Sequence, residues 1–133
     1  MALGAACSAE DALLPIPLAC FTVSLGAWTP ALPEALPPVP TGIRLTESLG
    51  TEGLESGRRQ IAAVPASDES YRWSWWEQRG TDSLGVVFST GFTGVSLRLA
   101  RRGNDFEGSA SAFFDFTSES PSATARLTRS ACQ

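Results

Sequence analysis

The sequence predicts an all-β fold, a single antiparallel meander of about eight strands closing into a barrel, with a β-sandwich as the alternative. Three observations lead there. Apolar and polar residues alternate with period two through most of the second half of the chain. Short turn signals ("RGTDS", "TG", "RRGND", "TSESPS") separate the alternating runs. No stretch reads as a helix, and such one-sided strands must bury a common face.

Residues 1–16 read as a flexible N-terminal tail, and 17–133 as the barrel domain. "ACFTVSLGAW" (19–28) alternates, with Phe21, Val23, Leu25 and Ala27 on one side, and is the first strand. "TPALPEALPPVPTG" (29–42) holds prolines 30, 33, 37, 38 and 40. That density excludes helix and central strand, so the segment is an extended loop, and its Leu32, Leu36 and Val39 point to docking on the domain. "GIRLTES" (42–48) is the second strand, "LGTEGLESG" (49–57) a loop, and "RRQIAAVP" (58–65) the third strand. "YRWSWWEQ" (71–78) is the fourth, "LGVVFS" (84–89) the fifth and "FTGVSLRLA" (92–100) the sixth, reached through the two-residue turn "TG". "FEGSASAFFDF" (106–116) and "ATARLTRSAC" (123–132) are the last two.

Parity assigns the faces. Leu84, Val86 and Phe88 share a side, as do Thr93, Val95, Leu97 and Leu99, then Phe106, Gly108, Ala110, Ala112, Phe114 and Phe116, then Ala123, Ala125 and Leu127. The opposite sides carry Ser96, Arg98, Glu107, Ser109, Ser111 and Arg126.

Cys20 begins the first strand and Cys132 ends the last. In an up-and-down barrel of even strand number those strands are antiparallel neighbours. The pair is then within reach of a disulfide, although a sandwich also permits the bond. A disulfide points to an oxidising, extracytoplasmic compartment. Cys7, in "MALGAACSAED", is left over. It reads as a candidate lipid anchor or as a free thiol in a tail, and Gly4 stands where a lipobox has an aliphatic residue. No run of some 18 apolar residues exists, so no transmembrane span is expected and membrane attachment would be peripheral.

Composition excludes several functions. The chain has no histidine, so imidazole base catalysis, Ser–His–Asp and Cys–His nucleophiles and histidine-ligated metals are absent. No CxxC pair occurs. Glu107 and Asp115 share a parity but stand about 26 Å apart along a strand at ~3.3 Å per residue, too far for paired carboxylate chemistry. No enzyme activity, cofactor or metal is expected. The net charge of −4 and two isolated arginine doublets argue against nucleic acid. All ten basic residues are arginine, which reads as the coding bias of a GC-rich bacterium.

The tryptophan stretch splits by parity into Tyr71, Trp73 and Trp75 on one side and Arg72, Ser74 and Trp76 on the other. With the first set inward, its indoles oppose the small Ala110 and Ala112, and large against small is how a tapered barrel fills. Core packing is one reading. A cavity lined by Tyr71, Trp73, Trp75, Ala110 and Ala112 for an apolar or aromatic ligand is the other. Trp76 then faces out, with Phe113 and, at strand ends, Phe92 and Trp28. Outward aromatics are either covered by the proline-rich segment or offered to a partner.

The meander over 71–132, and "RRGNDFEGSASAFFDF" in particular, resembles lipocalin-like (calycin-type) small bacterial barrels of the cell envelope. The family's Gly-x-Trp has a counterpart in "GAW" (26–28), at the far rather than the near end of the first strand. The resemblance implies a closed barrel and a small hydrophobic ligand. The residues themselves favour a non-catalytic extracytoplasmic interaction module with a protein partner, an extrinsic accessory subunit of a larger envelope complex. The alternative is a lipocalin-like binder of a small apolar molecule.

Overall fold

A computed structural model describes residues 16–49, 58–64, 70–115 and 117–132. Cys7 and Phe116 lie outside them. Eight strands follow in order: β1 (Cys20–Leu25), β2 (Gly42–Leu49), β3 (Arg59–Ala63), β4 (Trp75–Gly80), β5 (Ser83–Ser89), β6 (Gly94–Arg102), β7 (Asp105–Phe113) and β8 (Ser122–Ser130). Each pairs antiparallel with the next, and β1 pairs with β8, so the sheet closes into a barrel rather than splitting into a sandwich. Closure removes the open strand edges that a one-sided sheet would otherwise present.

The alternation of β5–β8 turns the expected side inward. Leu84, Val86, Phe88, Val95, Leu97, Leu99, Phe106, Ala110, Ala112, Ala123, Ala125 and Leu127 are all buried. Phe21 from β1 and Ile43 and Leu45 from β2 complete the interior, with Phe21 edge-on to Phe106 at 5.7 Å between ring centres. Ile16, at the end of the expected tail, is also buried in this core.

The barrel has two ends. At one, β1 begins beside the end of β8, and Cys20 is bonded to Cys132 with Cα atoms 5.3 Å apart. At the other, the loop end, lie the proline-rich arm (29–41), the segment 70–74 and the turn 90–93.

Three strand limits differ from the sequence reading. β1 stops at Leu25, so Trp28 belongs to the arm's root. β6 begins at Gly94, so the preceding turn spans 90–93 rather than two residues. β4 begins at Trp75, because residues 71–73 form a turn. Ser74 ends that turn: its hydroxyl donates to the Tyr71 carbonyl at 2.6 Å and accepts the Ser89 N–H at 3.2 Å. A serine side chain thus takes over a backbone role, and Tyr71 leaves the strand's parity.

The weakest seam of the described sheet lies between β3 and β4, which share the single register pair Arg59↔Trp76. β2 is also irregular between Leu45 and Leu49. Trp76 spans this region. Its indole N–H donates to the Thr46 carbonyl at 2.9 Å, from β4 past β3 to β2, and the ring is 6% exposed.

Candidate functional site

The loop end is built on the turn 90–93. Thr90 organises it: its N–H donates to the Thr93 carbonyl at 2.9 Å, and its hydroxyl accepts the N–H groups of Phe92 at 3.3 Å and Thr93 at 3.1 Å. The Ser89 hydroxyl accepts the Gly91 N–H at 3.0 Å. Gly91 has φ +105°, a conformation that favours glycine. The turn therefore holds its shape by four local hydrogen bonds and raises Phe92 at its tip, 71% exposed.

Two more aromatic rings bracket this turn. The Trp73 N–H donates to the Ser89 carbonyl at 3.1 Å, and its indole lies over Gly91, where an added Cβ would come within 3.2 Å of the ring. Trp73 is 39% exposed. Phe113 pairs across the sheet with Gly94 and lays its ring over that glycine. A Cβ at Gly94 would collide with the Phe88 carbonyl oxygen, so the close strand approach here requires glycine.

The arm is fixed beside this face at three points. At its root Thr29 exchanges two backbone hydrogen bonds with Ser122, at 2.8 and 3.0 Å. At its end the Thr41 carbonyl accepts the Val23 N–H at 2.9 Å. In its middle the Pro37 carbonyl accepts the Tyr71 hydroxyl at 2.5 Å. Tyr71 is buried, edge-on to Phe88 at 6.1 Å, and burial pushes its phenol up to about 12.

These positions revise the residues expected at a site. Trp76, expected outward, is a core residue. The register Trp76↔Val86↔Leu97↔Ala110↔Ala123 puts it on an inner row. Trp73 and Trp75, expected inward, are not in the core. Trp75 is half-buried on the outside, with the Arg58 guanidinium stacked 3.9 Å above its ring. The tryptophan opposite the small alanine rows is thus Trp76, and the packing logic holds with a different residue.

The cavity expected from Tyr71, Trp73, Trp75, Ala110 and Ala112 is not assembled. Ala110 and Ala112 are fully buried in the packed interior, Trp73 is exposed, Trp75 is under arginine, and Tyr71 pins the arm. Of the expected outward aromatics, Phe92 is exposed and Phe113 is half-buried over Gly94. Trp28 is half-buried and packs against the core beneath the arm. The structure thus brings Phe92, Phe113 and Trp73 to the turn 90–93 and its exit into β6, and Trp73 stands outside the core rather than in the expected inward set.

At the disulfide end the outer wall carries ion pairs instead. Arg126 on β8 donates to Glu107 at 2.6 Å and Asp105 at 2.9 Å on β7. The Arg129 N–H and the Arg126 side chain together hold the Asp105 carboxyl below its ordinary range. Among the described residues, no three His, Cys, Asp or Glu side chains gather to hold a metal ion. Compared with known proteins, the chain matches no family model, no curated protein and no solved structure at a significant level.

Proposed function

We propose that this protein is a non-catalytic extracytoplasmic interaction module that docks on a partner protein through its loop end. The observation that carries this reading is the 71% exposure of Phe92 on a turn held by four hydrogen bonds of its own. A large apolar side chain held this way loses little conformational freedom on binding, which is what an anchor residue needs. Trp73 beside it adds a second ring with a polar N–H, a residue type enriched in interface cores. The Cys20–Cys132 bond supports an oxidising compartment.

The test compares wild type with Phe92→Ser and Trp73→Ser. Both rings are surface groups, so the melting temperatures stay within a few degrees of wild type. Complex formation with proteins co-purifying from the native host falls, and loss of a central anchor worth about 2 kcal/mol or more weakens binding roughly 30-fold. Unchanged co-purification and unchanged self-association in both variants would remove the loop end as the docking face.

A further inference from the structure

A cavity of about 310 Å³ lies where the arm crosses the barrel mouth. One wall is the inner face of β1, through Val23 and Leu25; another is Val95 of β6, on a separate side of the barrel. Trp28 and the arm's Leu32 and Leu36, with its proline run, line the remainder, and one side stays open to solvent. This space is not the barrel interior. The interior below it is filled by Phe21, Phe88, Phe106 and Trp76 with their aliphatic neighbours. The arm makes the cavity, and the three anchors that hold the arm (Thr29 to Ser122, Thr41 to Val23, Pro37 to Tyr71) fix its shape.

We infer that this arm-roofed cavity is a binding site for a neutral, largely apolar molecule with a two-ring skeleton. Size sets the first limit. A cavity of about 150 Å³ holds benzene, so one twice that volume takes roughly two fused rings. Charge sets the second. The lining contains no ionisable side chain, and its side-chain polar groups are the Thr41 hydroxyl and the Trp28 indole N–H, both neutral. A sulfonate, carboxylate or ammonium held there would give up part of its hydration with no opposite charge in return. Preorganisation sets the third: both walls are strand and the roof is pinned, so entry of a ligand requires little ordering of the site. A second copy of the chain is the competing occupant of this recess, and the arm, already laid across it, leaves a concave recess rather than a flat face.

The experiment is a fluorescence titration of the full chain with 6-propionyl-2-(dimethylamino)naphthalene, a neutral two-ring probe. The matched anion, 5-(dimethylamino)naphthalene-1-sulfonate, is titrated in parallel. The neutral probe is expected to bind one to one with a blue-shifted emission and to raise the melting temperature by mass action. The sulfonate is expected to bind about tenfold or more weakly, because its charge loses hydration and meets no opposite charge in the recess. Leu32→Trp and Leu36→Trp, which fill the space from the arm, each lower the neutral probe's affinity about tenfold or more by exclusion; Leu36 also packs against the core, so Leu32→Trp is the variant that leaves the core contacts in place. Phe92→Ser leaves it unchanged, which separates this site from partner docking at the turn. Equal binding of the two probes, wild-type affinity in both filling variants, or sedimentation showing a dimer that those variants dissolve would each overturn the proposal.

Discussion

At the scale of single residues, Trp76 and Phe92 are expected to behave as opposites although both are large aromatics. Trp76→Ala removes a buried indole and leaves the Thr46 carbonyl without its donor. The expected loss is about 3–5 kcal/mol, read from urea denaturation midpoints. Phe92→Ala changes stability by about 0.5 kcal/mol or less, since its ring is already in water. The side chosen by the tryptophan stretch was legible in a detail outweighed by the count of rings. Glu77 and Arg79 share the parity of Trp75 and form an ion pair at 3.2 Å on the outside, so Trp75 goes out with them and Trp76 goes in. Tyr71 supplies a second residue-scale prediction, because it is the chain's single tyrosine. Its ultraviolet titration is expected to be displaced from the ordinary value near 10 to about 12 in the folded protein, and to return to the ordinary value in denaturant. With the folded value raised, the unfolded chain loses this proton first. Stability therefore falls as pH rises from about 10 toward 12, and Tyr71→Phe lacks that dependence. The bond from Tyr71 to Pro37 was not legible, because nothing in local sequence links positions 34 residues apart.

At the scale of elements, period two was sufficient to assign the faces of β5–β8, where each strand is long and its outward side is mostly serine, threonine, glycine or charge. It was insufficient at strand ends. The aromatic β-formers of 71–74 continue the strand pattern, yet the Ser74 hydroxyl interrupts the ladder. "TG" resembles a two-residue hairpin, yet the Thr90 hydroxyl stabilises a longer turn. Side-chain capping of this kind depends on which backbone groups lie nearby, and that is tertiary information. The pairing of β7 with β8 carries its own prediction. The folded-state Asp105 carboxyl sits below its unfolded value, so its contribution to stability is present above about pH 4 and is lost as pH falls through the folded value. Urea midpoints measured from pH 5 to pH 2.5 are expected to fall more steeply for wild type than for Asp105→Asn. Parallel curves would show that Arg126 and Arg129 do not stabilise the ionised carboxyl.

At the scale of the whole molecule, the closed barrel and its disulfide follow from one relation. With an even number of antiparallel strands, the first and last run side by side, and Cys20 meets Cys132 across 112 positions of sequence. That relation was readable because the strand count and the cysteine positions are both global features. Constraining a loop of that length is worth about 4–5 kcal/mol in the chain-entropy model. The Cys20→Ser, Cys132→Ser double variant is expected to lose most of this, seen as a lower midpoint in chemical denaturation, with the barrel's far-ultraviolet spectrum retained in water. Unequal ends are the other whole-molecule property: the disulfide end is stapled and lined with ion pairs, and the loop end offers aromatic rings on a preformed turn. The most direct test of the docking face is site-specific photocrosslinking in the native host. p-Benzoyl-phenylalanine would be placed at position 92 on the turn, or at position 109 on the outer wall of β7 as a control. A discrete protein adduct from position 92, absent from position 109, is the predicted result; no adduct from 92, or the same adducts from both positions, would contradict it.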